Sequence, residues 1–312
     1  MNGSTVLVTG GGGLIGAHVT RRLLTEGRAV VVLDRTADLP NLDDVAGRIR
    51  VEAGDVFDEC TVRAVVESHE VTHIVHLAGV FVSAPALAPI DLVRTNVVGT
   101  AAVFEAARAA RVARVVWSST VNADEFDAAY DGSPVDESHR VSPRTLYGAS
   151  KYVCEVMAAD YVRAYGMDIV GVRPPMVYGS GRDSKALHAA VRDAARGRDA
   201  VLPYTAASRS QPIHVRDMAR LLTTALSAPS ASPITYNTPV FETVTGLQLA
   251  DLIERLCPGT RVRLGDRADH AGIAPVMDGS RATRELGFVP EISLEEGLRE
   301  MIALYRADHS AQ

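Results

Sequence analysis

Tyr147 and Lys151 stand four residues apart in Tyr147-Gly148-Ala149-Ser150-Lys151. On a helix, positions i and i+4 share a face, so this spacing sets the ammonium beside the phenol. A neighbouring cation favours phenolate and lowers a pKa that starts at about 10 toward the working range. Such a tyrosine can take the proton of an alcohol as its hydride departs, or return one to a ketone as hydride arrives. Alone, the pattern also describes an ordinary helix surface. A run of hydroxyls, Ser118-Ser119-Thr120, closes the apolar segment Arg114–Trp117. Thr120 is the one expected to share a cleft with Tyr147 and to hydrogen-bond the reacting oxygen. Ser118 fits a group that satisfies backbone at a strand end.

The partner for that chemistry is announced near the N-terminus by Thr9-Gly10-Gly11-Gly12-Gly13-Leu14-Ile15-Gly16. This G-x-x-G-x-x-G follows a first strand and opens a helix. Glycines let the backbone turn sharply and approach a pyrophosphate, and the helix N-terminus adds free N–H groups and partial positive charge. An acid at the next strand end, Asp34, turns a common glycine cluster into a dinucleotide fingerprint. Its carboxylate can accept hydrogen bonds from adenosine-ribose hydroxyls and repels a 2′-phosphate, which favours NAD over NADP. Arg35 pulls the other way if it meets a phosphate; it can also pack over the adenine or lie in solvent. Asp55-Val56, after the third strand, could reach the adenine edge or form an ordinary loop turn.

These groups need a scaffold that brings strand ends together. Strands are predicted at Thr5–Val8, Ala29–Leu33, Arg50–Ala53, His73–His76, Arg114–Ser118 and Asp168–Arg173. Helical patterns lie between them at Leu14–Glu26, Thr61–Ser68, Asp91–Ala110 and Tyr147–Tyr165. Strands apolar on both faces, alternating with amphipathic helices, give a doubly wound parallel α/β sheet with its ligand at the carboxyl ends of the strands. After Arg173-Pro174-Pro175 the rhythm changes. Helices near Lys185–Ala195, Arg216–Ala228, Leu247–Leu256 and Leu294–Tyr305 are joined by Pro- and Ser-rich links, with brief strands at Ile234–Asn237 and Arg261–Leu264. Residues 1–175 are therefore expected to form the dinucleotide domain with the catalytic residues. Residues 176–312 are expected to form a smaller α+β substrate domain, with about 212–237 returning to the first.

Composition narrows the partners. The 312 residues carry 32 Lys plus Arg and 38 Asp plus Glu, a net charge of −6, with no basic stripe for nucleic acid or anionic lipid. No apolar stretch reaches the roughly 20 residues that span a bilayer. With no basic leader ahead of the first strand, the chain reads as cytoplasmic. Cys60, Cys154 and Cys257 are scattered, and His69, His73, His188 and His214 show no ligand spacing, so no metal is expected.

Taken together, these residues make the chain resemble the extended short-chain dehydrogenase/reductase family, the NAD-dependent epimerase/dehydratase group, over essentially its whole length. The resemblance includes His76-Leu77-Ala78-Gly79, Asn96-Val97-Val98-Gly99-Thr100, Arg173-Pro174 with Val177-Tyr178-Gly179, and Ile213-His214-Val215-Arg216-Asp217. Near the C-terminus it includes Glu285-Leu286-Gly287-Phe288-Val289-Pro290 and Ser293-Leu294-Glu295-Glu296-Gly297-Leu298. It implies a Rossmann-type domain, bound NAD, and Thr120, Tyr147 and Lys151 as the catalytic set, the lysine also holding the nicotinamide ribose. The cofactor contacts it implies are Gly10, Gly13, Leu14, Ile15, Gly16, Asp34, Arg35, Asp55, Val56, Leu77, Ala78, Gly79, Asn96, Ser118, Tyr147, Lys151 and Pro174. It also implies a homodimer through helices 91–110 and 147–165.

Departures from the family pattern bear on the substrate. Dehydratases of the group follow the catalytic threonine with acidic residues, whereas Val121-Asn122 stands here and Asp124 and Glu125 come too late. Three positions that anchor a diphosphate in nucleotide-sugar epimerases are changed. Met176 replaces an asparagine, Ser210-Gln211-Pro212 leaves Arg209 one residue out of step, and Ala274-Pro275-Val276-Met277-Asp278 lacks an arginine. An unpaired pyrophosphate is costly to desolvate. The favoured reading is hydride exchange between NAD and a secondary alcohol of a sugar, sugar acid or similar small polar molecule. Its contacts are expected from Phe81, Thr120, Asn122, Met176, Arg182 and Arg209, and Arg182, Lys185 and Arg209 could meet a carboxylate. The alternatives are a nucleotide-sugar 4-epimerase with retained NAD and a non-catalytic NAD-binding sensor.

Overall fold

The β-branched runs form strands because both of their faces are buried. In β1 (Thr5–Thr9), Val6 and Val8 point into one core and Leu7 into the other, all three fully buried. In β5 (Arg114–Ser118), Val116 faces the first core, and Val115 and Trp117 face the second. The computed structural model describes residues 4–81, 88–123, 133–181, 186–229, 234–265 and 276–310.

Beside β1 lie β2 (Ala29–Asp34), β3 (Arg50–Ala53), β4 (His73–His76), β6 (Ile169–Arg173) and, late in the chain, β11 (Ile234–Asn237). With β5 they form one parallel sheet of seven strands in the order β11-β6-β5-β4-β1-β2-β3. The order reverses between β1 and β4, and that switch point opens the crevice where such sheets take their ligands. One face is covered by α1 (Leu14–Thr25), the 3-10 segment Pro40–Arg48 and α7 (Val215–Ser227), which packs along α1. The other face is covered by α2 (Glu59–Ser68), α4 (Gly99–Ala109) and α5 (Leu146–Tyr165). This is the Rossmann-like α/β fold that the strand rhythm predicts.

A third core gathers α6 (Ala186–Ala195), α8 (Gly246–Leu256) and α10 (Leu294–Ser310) with β8 (Ala200–Leu202) and β13 (Val262–Leu264), a parallel pair. Two further pairs are β7 (Met176–Tyr178) with β10 (Pro212–His214), and β9 (Arg209–Ser210) with β12 (Val244–Thr245). With two or three residues each, the strands of these two pairs have no periodicity for a sequence reading to catch. The short α9 (Ser280–Leu286) and the 3-10 segment were likewise not expected.

One predicted helix is built differently. The pattern at residues 91–110 resolves into α3 (Pro89–Val93), a π-helical turn (Arg94–Val98) and α4. The wider turn accompanies Asn96, a fully buried polar residue that bonds into the neighbouring loop. Single π turns are uncommon inside helices and gather at functional sites.

Candidate active site

The glycine turn after β1 is shaped by steric need. Gly10 has φ +71°, and a Cβ there would lie 2.7 Å from Ala78 N, across the switch-point crevice. A Cβ on Gly16 would lie 2.2 Å from the carbonyl oxygen of Gly10. Only glycine lets α1 begin this close beneath the turn. Gly13 caps α1 with no side-chain hydrogen bond, and the first turn contains no acid. The N–H groups at Leu14, Ile15 and Gly16 thus meet the requirements of a diphosphate site. The residues present fit a dinucleotide.

Asp34 ends β2 beside this turn. Its Oδ2 accepts from Gly12 N at 3.0 Å and its Oδ1 from Arg35 N at 2.8 Å. Both bonds fix the carboxylate, and each oxygen keeps a lone pair for a ribose hydroxyl. Arg35 is exposed next to it. Asp55 bonds Phe57 N at 3.3 Å, an ordinary loop turn. Val56 is 4% exposed and its side chain packs in the second core.

At the end of β4 a buried chain of hydroxyls and imidazole fixes the loop. Thr9 Oγ1 accepts from Leu77 N and Ala78 N, both at 3.2 Å, and donates to His76 Nδ1 at 2.7 Å. His76 Nε2 then donates to Thr100 Oγ1 at 3.0 Å, and Thr100 donates to Asn96 O at 2.6 Å. Burial, reinforced by the Lys151 charge, pushes His76 down to about 3, which keeps the ring neutral as this tautomer requires. Asn96 takes Val80 N on Oδ1 at 2.9 Å and gives Nδ2 to Val80 O at 3.0 Å and Ser150 Oγ at 3.2 Å. Gly79 passes near the ammonium: a Cβ there would be 3.4 Å from Lys151 Nζ.

α5 starts at Thr145, whose hydroxyl accepts from Gly148 N at 3.1 Å, and its first turns carry Tyr147 and Lys151. Lys151 Nζ donates to Ser118 O at 2.9 Å, so Ser118 contributes its carbonyl. The Thr120 hydroxyl accepts from Asn122 N at 3.2 Å and lies close enough to the Tyr147 phenol to pull its pKa down. The expectation that Lys151 draws the Tyr147 pKa down is corrected here. Burial dominates and pushes the phenol up to about 12, against a smaller downward pull from Thr120. Burial also pushes the Lys151 ammonium down. Among the protein's own groups, the phenol is held as a proton donor.

The remaining predicted contacts divide. Phe81 stands against Tyr147, ring centroids 4.7 Å apart. Asn122 sits half-buried in the 3-10 turn Val121–Ala123 that follows Thr120, and Pro174 O accepts from Val121 N at 3.3 Å. Met176, two residues on, receives the Tyr204 hydroxyl on its sulfur at 3.7 Å. Arg209 is exposed on β9 and pairs through the backbone with Thr245. Arg182, Lys185, Asp124 and Glu125 lie outside the described residues. Among the described residues, no cluster of His, Cys, Asp and Glu could hold a metal.

Two supports escaped the sequence reading. Ser150 links Asn96 to the Tyr147 carbonyl, to which it donates at 2.7 Å. Glu155, one turn beyond Lys151, accepts both arms of Arg173 at 2.9 and 2.7 Å and the Ser119 hydroxyl at 2.6 Å. The i, i+4 spacing of Glu155 from Lys151, with an arginine ending β6, was the available signal.

Sheet order, glycine turn and the Tyr147–Lys151 pair define a dinucleotide-binding α/β protein of the Rossmann type. The NAD dependent epimerase/dehydratase family model matches residues 6–238. A dTDP-glucose 4,6-dehydratase of Streptomyces niveus is 30% identical over 317 residues, covering 96% of this chain and 92% of its own. A UDP-glucose 4-epimerase of Rhizobium leguminosarum bv. trifolii is 34% identical over 165 residues, 52% of this chain and 48% of its own. The crystal structure of the dTDP-glucose 4,6-dehydratase of Streptomyces venezuelae, with NAD bound, superposes with a TM-score of 0.85 at 27% identity, covering 98% of each chain. The chain belongs to the NAD-dependent epimerase/dehydratase family and is an enzyme of that family.

Proposed function

We propose that this chain exchanges a hydride between NAD and a secondary alcohol or ketone carbon of a carbohydrate-like substrate. NAD supplies the hydride acceptor, and its reduced form the donor. Tyr147 exchanges the proton at the reacting oxygen, Thr120 hydrogen-bonds the same oxygen, and Lys151 supplies positive charge beneath them. The observation that carries this reading is Tyr147 on the first turn of α5 with the buried Lys151 one turn on and Thr120 close enough to pull the phenol pKa down, followed by a turn of Val121, Asn122 and Ala123 with no carboxylate. Without an acid there, water is not eliminated from the oxidised sugar, although the full-length relative is named a dehydratase. Residues 1–175 serve as the cofactor domain and 176–312 as the substrate domain, joined again through β11. Two copies pair through residues 91–110 and 147–165, where Val98, Val153, Val156 and Tyr165 are exposed.

Tyr147→Phe tests the assignment. It removes the hydroxyl and keeps the ring, so turnover falls by at least about 10²–10⁴-fold while NAD affinity stays near wild type. Retained turnover would defeat the reading.

The likeness to a UDP-glucose 4-epimerase supports a second reading, in which the same three residues oxidise, release and re-reduce a nucleotide sugar on retained NAD. A dehydrogenase accumulates reduced nicotinamide in step with product; an epimerase interconverts sugars with no net absorbance change. Protein that binds NAD and converts neither free nor nucleotide-linked sugars would instead be a sensor.

A further inference from the structure

Phe81 is 53% exposed, yet its ring is held edge-to-face against Tyr147, centroids 4.7 Å apart and planes at 75°. Its backbone leaves a fixed point. Both the N–H and the carbonyl of Val80 are taken by the side-chain amide of Asn96, which is fully buried in the π-helical turn. The protein therefore spends a buried polar anchor on placing a large apolar ring, half in solvent, beside the phenol. An aromatic pair of this geometry steadies both rings beyond the area it covers. What it leaves open is the rest of the Phe81 surface, beside Tyr147.

Resting on the hydride-transfer reading above, we propose that Phe81 is a substrate-contacting residue, the platform for the C–H face of a neutral pyranose ring. A pyranose is amphipathic, with hydroxyls around its rim and patches of C–H bonds on its faces. The site is divided in the same way. Tyr147, with Thr120 beside it, offers hydroxyl groups to the rim, and Phe81 offers a π surface whose negative face attracts C–H bonds. A carboxylate on the ring would lose water against that surface and be repelled by it. The substrate class is thus a neutral hexose unit, free or nucleotide-linked, and not a uronate.

The test uses NAD-loaded protein and a panel of glucose, galactose, their nucleotide-linked forms and the matching uronates. Saturation-transfer NMR reads binding without turnover. Ring C–H protons of a neutral hexose are expected to receive saturation from the aromatic protons, and to lose most of it in Phe81→Ala. Signal from free hexoses identifies the monosaccharide as ligand, and signal from the linked forms alone identifies the nucleotide sugar; either supports the platform. In steady-state assays Phe81→Ala raises KM about tenfold with a smaller change in kcat, and Phe81→Tyr stays within about twofold of wild type. Phe81→Leu keeps bulk without a π face and is expected to behave like the alanine variant, with NAD affinity unchanged in all three. A wild-type KM in Phe81→Leu, uronates bound as well as neutral sugars, or no saturation of any ring proton would overturn the proposal. Binding without turnover defeats the hydride-transfer reading, while saturation of the ring protons still supports Phe81 as the platform.

Discussion

Replacing Lys151 by methionine isolates what the ammonium does for the phenol. Methionine keeps length and apolar bulk at a position only 5% exposed, and removes the charge together with one donor to Ser118 O. Burial holds the Tyr147 phenol at about 12, so at pH 8 about one site in 10⁴ is ionised if nothing opposes burial. No pull from Lys151 enters that value, which belongs to the chain without cofactor or substrate. Where their binding brings the ammonium within about 4–6 Å of the phenol, it would favour the charged form by about 1–3 pKa units and bring the phenol to about 9–11. Oxidation of the alcohol needs phenolate, so log kcat/KM should climb with pH at unit slope and begin to level as pH enters that window. In Lys151→Met the levelling should move up by about 1–3 units, and the rate at pH 8 should fall about 10- to 1000-fold. The reverse reaction at the same pH falls too, because both directions cross one transition state. The assay is the pH profile of NAD reduction at saturating NAD, with NAD affinity titrated separately. A profile that keeps its levelling point, or a loss explained entirely by weaker NAD binding, would refute electrostatic activation of Tyr147 by Lys151.

Three other perturbations probe the cofactor cradle and the buried imidazoles. Gly16→Ala puts a Cβ 2.2 Å from Gly10 O, and relieving that overlap at about 1–3 kcal/mol should weaken NAD binding by tenfold or so in a fluorescence titration; wild-type affinity would show that α1 tolerates the shift. Asp34→Ala removes the carboxylate beside the glycine turn and should bring NADP efficiency closer to that of NAD, whereas an unchanged cofactor ratio would mean that Asp34 serves only Gly12 and Arg35. Burial lowers His76 to about 3 and His214 to about 4, so the unfolded chain binds protons first as pH drops below 6.5. Stability is then full above pH 6.5 and lost below it by about 1.4 kcal/mol per pH unit for each histidine, or about 4 kcal/mol for the two at pH 5. Urea denaturation at pH 7 and pH 5 measures it, and His76→Asn should remove about half of the pH dependence.

What the sequence could reveal followed from how far each signal reaches along the chain. Strands buried on both faces announce themselves in continuous apolar runs, so the order of elements through β6 and the place of the glycine turn are legible. The Tyr147–Lys151 spacing is legible for the same reason, because helix geometry is local. The sign of the Tyr147 pKa is not, since it depends on burial by segments distant in sequence, Phe81 among them. Val56 is marked as a cofactor contact by its place after a strand end, whereas the packing of its side chain in the second core beside Gly99 was not legible. The π-helical turn around Asn96 was hidden because its apolar neighbours keep ordinary helical spacing.

The positions that depart from the family pattern have acquired other work. Gln211 lies in the Ser210-Gln211-Pro212 segment that leaves Arg209 one residue out of step, and its amide clamps the Met277 backbone, accepting from Met277 N at 2.8 Å and donating to Met277 O at 3.0 Å. Met277 in turn forms a parallel bridge with Val135, and Asn237 at the end of β11 donates to Val135 O and Asp278 O. Asn237 also accepts from Arg173, the arginine held by Glu155 on the helix of Tyr147. Gln211 is thus buried in a network that ties residues 276–278 to β6 and α5. Met176 is likewise occupied, with the Tyr204 hydroxyl on its sulfur. Restoring a diphosphate anchor would therefore take more than a single arginine. A charge at 211 would sit at a position 8% exposed and leave the Met277 amide without its acceptor, and both changes are costly. Moving Arg209 one residue into step would pull Gln211 out of its clamp on Met277, so the place of that arginine is tied to the packing of the substrate side.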